Sequence, residues 1–172
     1  MATDWTDPLV VSAVSVGVLT AAATVWAAWW ATRKGKRKNP TGSAKPDVAV
    51  GVVQKGREVI LVRRLKAEEG VLWQFPAGMI NPKRTAAETV VREVLEETGV
   101  QCHVVRELGR RVHPDTGTSL VYFHCLYDGG VLDNADPKEN AEAQWMLARR
   151  VRDMITSDLF PAVTDLLSAI DA

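Results

Sequence analysis

The sequence predicts an α/β domain preceded by one N-terminal transmembrane helix. Three observations carry that expectation. Short Val- and Ile-rich runs bounded by turn residues stand on both sides of one long stretch with helical apolar spacing. That stretch, Thr85 to Gly99, carries its own start and stop signals. Ahead of both, Pro8 to Thr32 contains no charged residue.

Leu9 to Ala31 is mostly Ala, Val, Leu and Trp. As a helix it spans about 35 Å, enough for a hydrocarbon core of about 30 Å with some tilt. Trp5 lies near one end and Trp26, Trp29 and Trp30 near the other, where interfacial aromatics belong. Arg33, Lys34, Lys36, Arg37 and Lys38 follow the run, whereas only Asp4 and Asp7 precede it. The positive-inside rule then puts residues 1–8 outside and the following domain in the cytoplasm. A cleavable signal peptide would need a basic region before the run and a small-residue cleavage site after it, and neither is present. A start further downstream is the alternative, and it would leave the domain cytoplasmic without an anchor. Ala13, Gly17 and Ala21 recur at a spacing that would let two such helices approach as in an oligomer, although in so Ala-rich a segment chance is the better account of that spacing. The organisation read is a short extracytoplasmic N-terminus (1–8), a transmembrane helix (9–31), a basic and polar linker (32–46) and a folded domain (47–172).

The chain has 172 residues and 47% hydrophobic content, enough for one domain with a real core plus an appendage. Its formal charge of zero hides an asymmetry. Without the five basic residues of 33–38 and the two N-terminal aspartates, 16 basic residues face 19 acidic ones. That balance is no electrostatic footprint for nucleic acid. Cys102 and Cys125 stand in no ligand pattern and read as buried free thiols of a reducing compartment.

Within the domain, Asp47 to Val53 and Glu58 to Val62, separated by Gln-Lys-Gly-Arg, read as a hairpin whose second strand ends at Arg63 and Arg64. After the helix, Gln101 to Leu108 and Ser119 to Leu126 read as strands joined by the polar connection Gly109 to Gly117. Asp128 to Asn140 is turn-rich and holds Asp133, Asp136 and Glu139; Glu142 follows, then a short strand around Trp145 and Met146. Arg149 to Thr156 and Phe160 to Ile170 read as helical. His103, His113 and His124 show no ligand spacing; His103 and His124 fall on strands and read as structural imidazoles.

Thr85 followed three residues later by Glu88 is a capping box, and Gly99 closes the helix as a left-handed C-cap. Ala87, Val90, Val91, Val94 and Leu95 make one apolar side. Glu93, Glu96 and Glu97 are expected on the opposite, exposed side, without a Lys or Arg four residues downstream of any of them. Like charges at this spacing cost a few tenths of a kcal/mol per pair, so a cation explains gathering them; oxygen ligands alone suit Mg²⁺ or Mn²⁺. A solvated acidic face is the other way to read the same three residues.

Gly78 to Val100 resembles the Nudix box, in which a Gly, five residues, a Glu and seven residues lead to Arg-Glu-U-x-Glu-Glu-x-Gly-U, U being aliphatic. Gly78, Arg92, Glu93, Val94, Glu96, Glu97, Gly99 and Val100 match. One position departs: Arg84 stands where the pattern has Glu. In the family that Glu pairs with the Arg of the motif, so Arg84 and Arg92 would meet as like charges unless Glu88, four residues before Arg92, takes over. The resemblance implies a Nudix-like α/β/α sandwich with a mixed sheet over about residues 47 to 170. Trp73-Gln74-Phe75-Pro76-Ala77-Gly78 is similar to the entry into the phosphate-binding loop of such enzymes.

What the resemblance implies chemically is Mg²⁺- or Mn²⁺-dependent hydrolysis of a nucleoside diphosphate linked to another moiety. Glu93, Glu96 and Glu97 would be metal ligands and catalytic residues, with Arg92 an orienting residue that bonds within the box. Glu139 or Glu142 would supply a further carboxylate, and each reads equally well as an ordinary solvated loop charge. Candidate substrate contacts are Gly78, whose backbone permits close approach, and Arg63, Arg64 and Phe75; for Phe75, as for Trp73, plain core packing reads at least as well. The competing class is a nucleotide-binding module that does not turn its ligand over, and Arg84 is the feature that favours it.

Overall fold

The structure is a computed structural model that describes residues 47–68, 71–113 and 117–172, without the side chains of residues 66–68 and 71. The expected transmembrane helix and its flanks, and Pro114 in the β-connection, lie outside those residues. Among the described residues no helix is long and apolar enough to cross a membrane.

β1 (Val48–Lys55) and β2 (Glu58–Glu68) form the expected hairpin, paired at Gln54–Val59 and Lys55–Glu58. β1 alternates cleanly: Val48, Val50 and Val52 enter one core cluster and Ala49 and Val53 the other. A strand buried on both faces reads as an unbroken apolar run, which is why its alternation is invisible in the sequence. β1 pairs antiparallel with β4 (Ala77–Met79), Ala49 opposite Gly78, and in parallel with β6 (Ser119–Gly129), from Val48–Leu120 to Gln54–Leu126. β2 is flanked by β3 (Val71–Gln74) and β7 (Asn140–Leu147), and β5 (Gln101–Val112) pairs antiparallel with β6. The result is a mixed sheet of order β3-β2-β1-β6-β5, with β4 on β1 and β7 on β2.

Three strand ends differ from expectation. β2 runs past Arg63 and Arg64, because β7 on one side and β3 on the other supply its backbone partners. Residues 109–112, expected in a connection, pair with residues 119–122 of β6; register shifts along β5 absorb the irregularity. β7 takes in Glu142 as well as Trp145 and Met146.

Helices cover both faces of the sheet. α1 (Ala86–Thr98) lies on one, with Val90 and Val94 fully buried against Ala49, Val53, Ile60, Val121 and Phe123. Burying such a side chain stabilises by about 1.5–3 kcal/mol. Close approach is possible because β1 has Gly51 beneath the helix: a Cβ there would lie 2.8 Å from a Val90 methyl. A 3₁₀ turn (Ala148–Arg150), α2 (Val151–Met154) and α3 (Pro161–Asp171) lie on the other face, where Val163, Leu166, Leu167 and Ile170 fill the second cluster. Cys102 and Cys125 are buried free thiols. His103 Nδ1 lies 2.7 Å from Asp128 Oδ1 and His124 Nε2 lies 2.8 Å from Gln54 Oε1, so both imidazoles have partners.

Candidate functional site

The helix that carries the acidic residues starts and stops as its sequence dictates. The Thr85 hydroxyl accepts from the Glu88 N–H at 3.1 Å and the Glu88 carboxylate accepts from the Thr85 N–H at 2.8 Å. Gly99 sits at φ 68 and donates to the Leu95 carbonyl. The Thr85 bonds and the nearby Arg84 charge hold the Glu88 carboxyl below its ordinary value. Glu88 is therefore committed to the cap and does not replace the missing Glu of the loop.

The acidic face is not the exposed flank that was expected. Glu97 is buried at 6% exposure, while Leu95, expected in the core, is 47% exposed. Glu97 follows Val90 by seven residues, which at about 100° per residue returns it to nearly the same side. The buried face of α1 is accordingly turned toward the glutamates, and includes Thr89, Val90, Val94, Glu97 and Thr98. Glu93 is 15% exposed and Glu96 54% exposed, so the three carboxylates grade from interior to solvent.

β4 and the loop before β7 close over Glu97. The Ala77 N–H donates to its carboxylate, and the Ala135 and Asp133 N–H groups donate to the Glu97 and Thr98 carbonyls. Gly78 is where the absence of a side chain counts. A Cβ on it would lie 2.0 Å from Glu93 Cδ, so the position exists to admit the Glu93 carboxylate.

Cations meet these carboxylates at two points. Arg92 donates to both Glu93 and Glu96, as expected of an orienting residue. Arg63 Nε bonds Glu142 at 3.1 Å and Arg64 Nη1 bonds Glu139 at 2.9 Å, across the β2–β7 ladder. Both arginines expected at the substrate are thus paired with the two carboxylates expected to assist the metal. Arg64 is 8% exposed, and its charge and that of Glu139 both act on Glu97. Phe75 is 5% exposed inside the second core cluster, where the turn after β3 aims it inward, in line with the core reading of this residue. Trp73 is likewise core, with the Arg63 guanidinium 5.9 Å from its ring centre.

Burial pushes the Glu93 carboxyl up from 4.5 to about 7, with Arg92 opposing and Glu96 and Glu139 adding to the rise. Burial, then the Glu93 charge, raises Glu97 well above its ordinary value, with Arg64 opposing. Glu97 Oε2 is buried with no hydrogen-bond partner. Hard oxygen donors, one of them a buried orphan, fit a divalent cation by type. Among the described residues no three acidic, His or Cys side chains are gathered around one point, and Glu93, Glu96 and Glu139 each bond an arginine.

A profile of the NUDIX domain matches residues 45–166. The chain belongs to the Nudix family. A Caenorhabditis elegans protein assigned to the nudix hydrolases is 38% identical over 88 residues, 51% of this chain and 24% of that protein. The NAD-capped RNA hydrolase NudC of Pseudomonas entomophila is 32% identical over 94 residues, 55% of this chain and 33% of that protein. The chain thus spans a third or less of the length of these two relatives. The crystal structure of a NUDIX hydrolase from Nitrosomonas europaea superposes with a TM-score of 0.61 at 15% identity, covering 73% of each chain, which is a likeness of fold. Against the Nudix box, Arg84 is exposed and its charge falls on Glu88, while Arg92 is held by Glu93 and Glu96. The departure from the family pattern is accommodated without the two arginines sharing a partner.

Arg64 and Glu139 were each legible in the sequence as candidates, but their pairing, and the presence of Asn134 and Asn140 beside it, were not. The register of β2 against β7 sets the placement of Arg64, Glu139 and Asn140, and the loop before β7 that of Asn134; two adjacent arginines at a strand end were the one signal to look for acidic partners.

Proposed function

We propose that the chain is a pyrophosphohydrolase dependent on Mg²⁺ or Mn²⁺ that cleaves a nucleoside diphosphate linked to another moiety. The observation that carries this is the buried Glu97 carboxylate, with one oxygen unpartnered, in electrostatic contact with Glu93 and Glu139. A carboxylate kept in such a place costs several kcal/mol unless a positive charge compensates it. Glu93, Glu96 and Glu97, with Glu139 or Glu142, are the residues that would hold the ion. A divalent cation held by these residues would screen the repulsion between adjacent phosphates and polarise the P–O bonds of the phosphorus that water attacks. Arg92 fixes the rotamers of Glu93 and Glu96, Gly78 makes room for Glu93, and a carboxylate of this set takes the proton of the attacking water. The products are a nucleoside monophosphate and a phosphorylated remainder. The name of the Pseudomonas relative supports a nucleotide-type substrate.

The test is a screen of the purified chain with Mg²⁺ against nucleoside triphosphates, ADP-ribose and dinucleoside polyphosphates. Metal-dependent release of a nucleoside monophosphate, lost in Glu97→Gln, is expected. Turnover that is unchanged in that variant contradicts the assignment.

A second reading, nucleotide binding without turnover, is favoured by the grip of Arg92 on both Glu93 and Glu96. Saturable nucleotide binding with no product would select it. Residues 9–31 are proposed to anchor the domain at the cytoplasmic face of a membrane, supported by the uncharged run and the basic cluster after it. The full chain should then stay with the membrane fraction in alkaline carbonate, and release into the supernatant would refute the anchor.

A further inference from the structure

Two cysteines that take no part in the acidic site lie side by side in the core beneath α1. Cys102 of β5 and Cys125 of β6 are both free, 6% and 0% exposed, and belong to the cluster that holds Val90 and Val94. Cys102 is the cross-strand partner of Tyr127, and Val104 is that of Cys125, so the two thiols are diagonal neighbours on one face of the ladder. They hydrogen-bond to each other.

The pair is not symmetric. The Cys125 S–H donates to Cys102 and holds the Cys102 thiol below its ordinary value, against burial and the Asp128 charge. The same bond, then burial, pushes Cys125 up. Cys102 also keeps a little exposure, and its strand β5 is the outer strand of the main sheet path. A thiolate is the form that attacks an oxidant, and a second thiol beside it resolves the product into a disulfide. Cys102 has the first character and Cys125 the second.

The register also shows what a bond between them would move. Diagonal neighbours of a ladder stand about 7–8 Å apart, whereas a disulfide wants Cα atoms within about 7 Å, so closure draws β5 toward β6. Register shifts between Gln101 and Cys102 and between Val104 and Arg106 mark where β5 can yield. Cys102 lies three residues beyond Gly99, the C-cap of α1. Gly130, at the end of β6, packs on that cap so closely that a Cβ would lie 2.6 Å from the Gly99 carbonyl oxygen. Just after it, the Asp133 and Ala135 N–H groups donate to the Thr98 and Glu97 carbonyls.

We propose that Cys102 and Cys125 form a thiol–disulfide switch that hydrogen peroxide closes and that acts on the C-terminal end of α1. The Cys102 thiolate attacks one peroxide oxygen, the O–O bond breaks, and the departing hydroxide takes up a proton to become water. Cys102 is then a sulfenic acid. The Cys125 sulfur attacks the Cys102 sulfur, the S–S bond forms, the S–O bond breaks, and the hydroxide leaves with the Cys125 proton as a second water. The two thiols have lost two electrons and one peroxide has become two waters. A thiol reductant reopens the bridge by exchange. The switch stands apart from the hydrolase reading, since neither cysteine touches the carboxylates.

The experiment treats the full-length, detergent-solubilised protein with hydrogen peroxide, removes the excess with catalase, and alkylates free thiols after unfolding. Peptide mass spectrometry of the monomer should find the Cys102 peptide joined to the Cys125 peptide, and dithiothreitol should restore both alkylation sites. Cys125→Ala should stop at a Cys102 sulfenic acid that dimedone traps, while Cys102→Ala should leave Cys125 alkylatable. In the bridged wild type, amide hydrogen exchange over residues 130–135 should quicken and return to its original rate on reduction. Both thiols still alkylated after peroxide, a bridge that joins two chains, or a dimedone adduct on Cys125 in the Cys102→Ala variant overturns the proposal. Exchange over 130–135 that is the same in the bridged and reduced protein overturns it too.

Discussion

Raising the pH of the metal-free protein from about 5 to about 8 should destabilise it, because Glu93 and Glu97 sit where ionisation is disfavoured. Glu93 is 15% exposed and its folded-state value is raised from 4.5 to about 7. A raised value means that the stability this group contributes is fully present below about 4.5 and is lost as the pH rises through about 7. At 1.36 kcal/mol per pH unit the loss from Glu93 is about 3 kcal/mol, a large share of a typical domain's stability. Glu97 acts in the same direction. His124 acts the other way: burial, then the Arg106 charge, lowers its value, so its contribution is lost as the pH falls below 6.5. Glu93→Gln separates the two, since it deletes the Glu93 titration and leaves His124 in place. Urea denaturation followed by tryptophan fluorescence, in chelator at both pH values, gives the four free energies. The wild type should lose about 2–3 kcal/mol relative to Glu93→Gln on going to the higher pH, and saturating Mg²⁺ should restore most of it. Parallel pH profiles for the two proteins, or a wild type that gains on the variant as pH rises, would refute the placement of Glu93 in a desolvated site.

Gly78→Ala should cost about 1–3 kcal/mol by overpacking, seen as a lower Tm, because its Cβ would fall 2.0 Å from Glu93 Cδ. Adding Glu93→Ala should recover part of that loss, giving a coupling of about 1 kcal/mol or more; strict additivity would show that the two do not touch. Thr85→Ala removes one half of the capping box and should cost about 1 kcal/mol in chemical denaturation. Glu97→Gln should abolish metal-dependent hydrolysis while the metal-free protein at about pH 8 is no less stable than the wild type, since a buried charge is removed.

What the sequence disclosed is what local physics decides. The caps of α1 need only Thr85, Glu88 and Gly99, all within one helix, and the structure has each of them in place. The hairpin likewise needs only two apolar runs and the turn between them. The parallel pairing of β1 with β6 joins residues about seventy positions apart, and nothing in either strand announces it. Within the site, the helical order of the glutamates was readable, but their exposure was not. Leu95 and Glu97 exchange places because β4 and the loop before β7 pack over that flank of α1, and the Ala77 and Ala135 N–H groups close it. The pairing of Arg63 with Glu142 and of Arg64 with Glu139 depends on the register of β2 against β7, bulge included. Phe75 could be read as ligand or core until the turn after β3 fixed its direction.

The central claim is that the interior carboxylates of α1 receive a divalent ion at the expense of their arginine partners. Diffraction at the manganese edge from crystals of the protein grown with Mn²⁺ tests it most directly. An anomalous peak bonded to carboxylate oxygens of Glu93 and Glu97, with Arg92 withdrawn from Glu93, is the predicted result. Full-occupancy Mn²⁺ elsewhere on the molecule, with Arg92 still bonded to Glu93 and Glu96 and no peak beside Glu97, would contradict it.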